Sequence, residues 1–232
     1  DGPRPIMTCP VSGIDEGEIY DVQNLLKEVD AYFDKNDDRF CNFPRKYKIG
    51  ISGCKCHCAA HEIQDVAFTA FKTEDNEVLF DLTIGGGLSK SKQIATRANK
   101  YVKPEQVLDV AVACAEIFRD NGNRDNRNKA RVRHLLNDWG IEKFVEEIEK
   151  AIGYELKDGL EAPVVASFEN RNHFGMNKAK QEGESYVGFA TNSGRVAGED
   201  FVKFYEICKK YGAGGVAFTA TQNFLVYDIK DE

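Results

Sequence analysis

The sequence contains no apolar run that approaches the ~18 residues of a membrane-spanning helix, and nothing in it resembles a signal peptide. It also has no excess of positive charge, because 38 Asp and Glu residues outnumber 31 Lys and Arg residues and the net charge is -7. An acidic chain argues against a general nucleic-acid binder, whose affinity depends on neutralising phosphates. We therefore expect a cytoplasmic protein that binds neither membranes nor nucleic acid.

A secreted disulfide framework is also missing, although the chain has seven cysteines. Three of them, Cys54, Cys56 and Cys58, stand at alternate positions, which is more typical of an intracellular thiol or cluster site. The length of 232 residues and a hydrophobic content of 42% allow one large domain or two smaller ones.

Helical and extended patterns alternate along the chain, which predicts an α+β fold in which a mixed α/β unit is followed by half of a small α/β sandwich. We expect strands near 45–52, 65–71, 77–84, 185–190, 215–221 and 223–229, and helices near 15–33, 104–121, 127–139, 141–152 and 199–211. Residues 153–184 are polar and weakly patterned, which indicates a linker or excursion. The short second sheet would expose unpaired edges, so we expect it to pair with a segment outside residues 1–232.

The segment from Pro44 to Cys58 joins cations to thiols. On a strand, Lys46 and Lys48 share one face and stand roughly 6 to 7 Å apart, so both could reach one small oxyanion or the carboxylates of a cofactor. The alternative interpretation is an exposed sheet face whose lysines protect an edge.

The run Pro44-Arg45-Lys46-Tyr47-Lys48, followed by Ser-Gly-Cys-x3-Cys, resembles the substrate strand of the siroheme-dependent nitrite and sulfite reductases, and the resemblance covers nearly all of the chain. It implies an internal fragment, with a catalytic repeat at 1–152, a linker at 153–184 and a ferredoxin-like half domain at 185–232. The family reduces sulfite to sulfide or nitrite to ammonia with six electrons from ferredoxin or a similar donor, using siroheme and a 4Fe-4S cluster. The fragment alone should be inactive.

The resemblance also implies roles for individual residues. Lys46, Lys48 and Arg4 correspond to substrate contacts, and Lys48 favours sulfite because plant-type nitrite reductases commonly have asparagine at that place. Two further groups correspond to siroheme contacts: the arginines that could pair with its carboxylates and the Thr-x-x-Gln-Asn turn at the macrocycle edge. They are Arg45, Arg127, Arg131, Thr219, Gln222 and Asn223.

The cysteines depart from the family pattern of Cys-x5-Cys followed by Cys-x3-Cys. Cys9, Cys54 and Cys58 match three ligands, but the fourth position is Pro3, which cannot ligate. We therefore expect the cluster to be held mainly by segments outside this chain, unless Cys41 or Cys56 substitutes. Two alternatives remain: a non-catalytic iron-sulfur electron-transfer module that uses Cys9, Cys41, Cys54 and Cys58, and a repeat that only supports its catalytic twin.

Overall fold

A five-stranded sheet organises the first part of the chain. The computed structural model describes residues 2–56, 58–88, 91–163 and 172–231. The strands are β1 (Ile49–Ser52), β2 (Val66–Lys72), β3 (Val78–Ile84), β4 (Thr96–Val102) and β5 (Lys157–Asp158). They lie side by side in chain order, and only the β1–β2 pair is parallel.

Helices cover this sheet and close its main core. They are α1 (Gln23–Lys35), α2 (Asp37–Phe40), α3 (Val107–Asn121), α4 (Val132–Trp139) and α5 (Ile141–Ile152). Apolar side chains recur every three to four positions along α3, so a broad face of this helix is buried. Gly153 takes the left-handed conformation, with φ of 82°, that ends α5 in the manner of many helix C-termini.

The second sheet contains β6 (Gly175–Lys178), β7 (Glu184–Phe189), β8 (Gly215–Phe218) and β9 (Phe224–Lys230), in the antiparallel order β6-β7-β9-β8. One helix, α6 (Gly198–Lys210), packs Phe204 against Phe189 and Phe224. No residue of α6 is buried, and Phe218 on β8 is 70% exposed. The α+β class and the half-sandwich are as the sequence predicts. Among the described residues, no helix is long and apolar enough to cross a bilayer.

Three predicted helices begin later than their patterns suggested, and the one predicted from residue 104 opens with a 3₁₀ turn at Pro104–Gln106 before α3. The first starts at Gln23, because the backbone N–H groups of Ile19 and Tyr20 donate to the Gly53 carbonyl and so are held in a turn beside β1. The helix predicted from Arg127 splits into a 3₁₀ turn at Arg127–Lys129 and α4, because the backbone of Arg131 is extended. Strands β4, β5 and β6 were not predicted.

A small second core lies where the two sheets meet. It consists of Cys9, Val11, Cys58, Tyr186 and Leu225. The N-terminal segment leads into it by pairing along the outer edge of β1, where Ile51 N–H donates to the Met7 carbonyl at 2.8 Å. The same segment then contacts the second sheet, because Asp15 forms a bridge with Ala179. Residues from both parts of the chain therefore surround this core.

Candidate functional site

Strand β1 carries a group of charged side chains at its beginning and a group of thiols at its end. Tyr47, Ile49 and Ile51 are fully buried in the main core. Because side chains alternate along an extended chain, Lys46 and Lys48 point away from that core. Lys46 is exposed, whereas Lys48 is half-buried.

Three cations surround one buried carboxylate in what we call the cation cluster, formed by Lys48, Asp65, Arg131 and Arg133. Asp65 is fully buried and accepts hydrogen bonds from both Arg131 Nη2 (2.7 Å to Oδ2) and the Lys48 backbone N–H (3.0 Å). The Lys48 ammonium donates to the Ile63 carbonyl at 2.7 Å. Burial raises the pKa of Asp65 and lowers the pKa of Lys48.

Arg133 is the least satisfied member of this cluster. Its side chain is buried, and within the described part of the chain neither Nε nor Nη1 has a hydrogen-bond partner. A Cβ built on Gly87, in the glycine run 85–87 that follows β3, would lie 2.3 Å from Arg133 Nη1, so the glycine allows the backbone to approach this guanidinium. Burial and the charge of Arg131 lower the pKa of Arg133. A buried cation with unpaired donors indicates a place where an anion could bind.

The other cations that the sequence analysis assigned to substrate or siroheme have partners of their own. Arg45 Nη1 donates to the backbone carbonyl of Arg127 at 2.7 Å, and Arg127 itself is exposed. The guanidinium of Arg131 is already paired with Asp65. Arg4 donates its backbone N–H to the Tyr47 carbonyl at 2.9 Å and lines a separate cavity of about 480 Å³ beside α1.

The predicted turn in the second sheet forms a pocket. Thr219, Gln222 and Asn223 line a cavity of about 580 Å³ together with Gly194–Arg195. Asn223 N–H donates to Thr219 Oγ1 at 2.9 Å, which fixes the turn. A Cβ on Gly194 would lie 2.8 Å from the Cβ of Gln222, so this glycine lets the two loops meet. The fold thus joins two short motifs that the sequence separates by more than twenty residues.

The thiols after β1 converge with a histidine from a distant part of the chain. We call Cys9, Cys54, Cys58 and His173 the thiol cluster. His173 Nε2 lies 3.4 Å from Cys9 Sγ and 3.1 Å from Cys58 Sγ, and these three atoms all lie within 4.8 Å of one another. Cys54 hydrogen-bonds with Cys56, Cys58 and Cys9, which lowers the pKa of its thiol, whereas the hydrogen bond with Cys54 raises the pKa of Cys58 to about 12.

Tyr186 and Asp15 form a hydrogen-bonded pair on the other side of the His173 ring. Nδ1 lies 2.9 Å from the Tyr186 hydroxyl, which donates in turn to the Asp15 carboxylate. Cys41 is elsewhere, exposed and with its thiol directed at the Asp38 carbonyl. The four-cysteine set that includes Cys41 is therefore not assembled among the described residues.

Sequence reasoning missed two residues of these clusters, Arg133 and His173. Arg133 belongs to a basic stretch whose pattern gave no sign that this particular guanidinium is buried. His173 lies in the weakly patterned region 153–184, where a single histidine carries no signal. The proline at position 3 was interpreted as a lost ligand, with Cys41 or Cys56 as the possible substitutes, and not as a sign that a histidine approaches the thiols.

Comparisons with known proteins place this chain in one class, the family defined by the nitrite and sulphite reductase domains. The family model for the nitrite and sulphite reductase 4Fe-4S domain matches residues 1–156. A second model, for the nitrite/sulfite reductase ferredoxin-like half domain, matches residues 177–232. The chain belongs to the nitrite and sulfite reductase family.

Individual relatives show the same similarity over the whole chain. It is 33% identical to a ferredoxin–nitrite reductase of Synechococcus elongatus and 34% identical to a ferredoxin sulfite reductase of Mycolicibacterium paratuberculosis, and it covers 46% and 41% of their lengths. The solved structure of the NirA protein of Mycobacterium tuberculosis matches all of this chain at 35% identity with a TM-score of 0.88, over 41% of that protein. The chain therefore spans less than half the length of these relatives.

Proposed function

We propose that this chain is part of a siroheme- and 4Fe-4S-containing reductase that converts sulfite to sulfide or nitrite to ammonia with six electrons. The proposal is supported by the family and by the names of the relatives, which include reductases of both anions. The observation that carries it is the cation cluster, in which two donor atoms of buried Arg133, beside Lys48 and Arg131, have no hydrogen-bond partner among the residues that the structure describes. Such a cluster is suited to an anion and is unfavourable without one.

The unpaired nitrogens of Arg133 fit a group that carries carboxylates, as siroheme does. When bound, siroheme supplies the iron at which the anion is reduced. The substrate contacts in this proposal are Lys46, Lys48 and Arg4, and the siroheme contacts are Arg45, Arg127, Arg131, Thr219, Gln222 and Asn223. The lysine ammonium groups would neutralise the oxyanion and hold protons close to the oxygens that leave as water.

Several finer assignments belong to the same proposal. Lys48 favours sulfite over nitrite as the substrate. Ferredoxin or a similar carrier supplies the electrons, as the names of relatives say of those proteins. The functional division is a catalytic repeat at 1–152, a linker at 153–184 and a ferredoxin-like half domain at 185–232, which would act in the cytoplasm together with other segments of the whole enzyme.

The thiol cluster does not fit the family's four-iron cluster. In such a cluster each protein ligand binds a different iron, so the ligand atoms surround a wide cage. Here two sulfur atoms and one nitrogen lie within 4.8 Å of one another. We therefore propose that the 4Fe-4S cluster is ligated mainly by segments outside residues 1–232.

The substrate role can be tested in the full-length reductase by Lys46→Met and Lys48→Met. If these ammonium groups stabilise developing charge, each change should lower kcat/KM for sulfite by about 100-fold or more while the siroheme absorbance is kept. Lys72→Met is a matched control, because Lys72 is an exposed lysine at the end of β2. Unchanged turnover in both variants would contradict the proposal and favour a repeat that only supports its twin.

A further inference from the structure

We propose that Cys9, Cys54, Cys58 and His173 bind one mononuclear metal ion of the type that Zn²⁺ represents, at a site distinct from the four-iron cluster of the reductase family. All three cysteines are buried, and so is His173, whose exposure is 3%. The site lies in the small core between the two sheets. His173 takes the place of the fourth ligand that Pro3 cannot supply.

The spacing of the ligand atoms fits a single tetrahedral ion. Zinc binds thiolate sulfur at about 2.3 Å and imidazole nitrogen at about 2.0 Å, so tetrahedral angles place sulfur and nitrogen about 3.5 Å apart. The observed distances from His173 Nε2 are 3.4 Å to Cys9 Sγ and 3.1 Å to Cys58 Sγ. The two thiols of Cys9 and Cys58 and the imidazole supply three of the four ligands, and a third thiolate from Cys54 would give the Cys₃His set that is common in structural zinc sites.

The hydrogen bonds behind His173 select the tautomer that a metal needs. The Tyr186 hydroxyl donates its proton to Asp15, so its oxygen is left to accept from His173 Nδ1–H. The neutral imidazole then carries a lone pair on Nε2, which is the atom that faces the thiols. A hydrogen-bonded second ring nitrogen is the usual arrangement around metal-binding histidines.

The backbone is shaped to bring this histidine to the thiols. His173 has a φ of 52°, a left-handed conformation that is uncommon for a residue other than glycine. A Cβ on Gly188 would lie 1.9 Å from the His173 carbonyl oxygen, so only glycine allows β7 to pass this close. A strained residue at a cluster of ligand atoms indicates a functional constraint.

Cys54 lies beside the three converging ligand atoms of Cys9, Cys58 and His173, and it would become the fourth ligand by a small inward movement of its thiol. The Cys54 thiol hydrogen-bonds with both Cys9 and Cys58, so it lies on the same side of the loop as they do. Cys56 is partly exposed, and its thiol hydrogen-bonds with Cys54, whereas its backbone carbonyl accepts from the Cys58 thiol at 3.9 Å. With all four positions filled by protein, the ion would have no place for substrate, and its role would be structural.

The test is to produce the 232-residue chain with zinc, remove loosely bound metal and measure metal content. We expect one zinc per chain. His173→Ala should lose most of it, and His173→Cys should restore binding with a fourth thiolate. Cys41→Ser is the matched control, since its thiol is exposed and outside the cluster. Replacement by Co²⁺ should give the d–d and thiolate charge-transfer bands of a tetrahedral site, which His173→Ala should weaken.

Tyr186→Phe tests the supporting hydrogen bond separately. Removing an outer-shell partner typically costs 10- to 100-fold in metal affinity, so this variant should bind zinc that much more weakly while keeping the same cobalt spectrum. Two results would overturn the proposal. One is iron with sulfide and a broad iron-sulfur absorbance, which would show a cluster; the other is a folded chain, judged by circular dichroism, that holds no metal at stoichiometric zinc.

Discussion

The clusters at the two ends of β1 differ in how well their polar atoms are paired. In the cation cluster, Arg131 and Lys48 share one carboxylate, and Arg133 keeps unpaired donors in a buried place. In the thiol cluster, the polar atoms bond to one another, because the thiols hydrogen-bond with each other and with the imidazole. The first arrangement costs stability until an anion arrives, whereas the second is satisfied without a metal and can exchange protons for one.

The largest effect should come from removing Asp65, the carboxylate at the centre of the cation cluster. Asp65→Ala would remove the carboxylate that pairs with Arg131, and breaking a buried ion pair in this way typically costs about 3–5 kcal/mol of unfolding free energy. Urea denaturation of the chain would measure this loss. The thiol cluster should keep its metal content in molecules that remain folded.

A surface ion pair provides the control for that experiment. Asp158 accepts from Lys100 at 2.8 Å, but its side chain is 80% exposed. Asp158→Ala should therefore cost no more than about 1 kcal/mol. If Asp65→Ala and Asp158→Ala lowered the free energy of unfolding equally, Asp65 would not stabilise the cation cluster.

The thiol cluster can be perturbed separately by displacing His173 while leaving the ligand residues in place. In Gly188→Ala the new Cβ would collide with the His173 carbonyl, so either the strand or the histidine must move, at a cost of about 2 kcal/mol. Metal affinity should fall at least 10-fold, as measured by competition with a chelator.

The cation cluster should not respond to this change. Gly198→Ala is a matched glycine control, because nothing lies within 4 Å of the position of its Cβ. If the two glycine variants bound zinc equally well, the close approach at Gly188 would have no part in metal binding.

The smallest effect concerns the contribution of Lys48 to the pH dependence of folding stability. Burial lowers its pKa in the folded chain below that of an exposed lysine. Between these two pKa values the unfolded chain holds a proton that the folded chain has lost, so stability rises with pH across that alkaline window. Across this window the free energy of unfolding should rise by less than about 1 kcal/mol, because Lys48 is only half-buried. Lys48→Met should remove it, and an unchanged pH profile of urea midpoints would contradict the assignment.

Periodicity was sufficient for most of the fold. Apolar spacing located α5 at its observed bounds, 141–152, because its amphipathic face and terminal glycine are local features. It missed β4, whose residues Thr96–Val102 are mixed polar and apolar and form a strand only because β3 offers a partner. Long-range pairing of this kind leaves little trace in the strand itself.

The site was less accessible to sequence reasoning. The family resemblance brought Lys46, Lys48 and three of the cysteines into view, since they stand close together in the chain. The burial of Arg133 and the approach of His173 depend on packing between segments that are far apart. Nothing in the local sequence of either residue encodes that packing. The roles assigned to the substrate and siroheme contacts stay predictions.

The position of His173 has a consequence for how the chain folds. Its contacts with Cys58 and Cys9 join residues 115 and 164 positions apart. A metal at this place would close both loops, and in the loop-closure model one closure of that length removes on the order of 4 kcal/mol of entropy from the unfolded chain. The two sheets would then melt together as one cooperative unit when metal is bound. Once stripped by a chelator, the thinly covered second sheet should open first and expose the histidine to rapid hydrogen exchange.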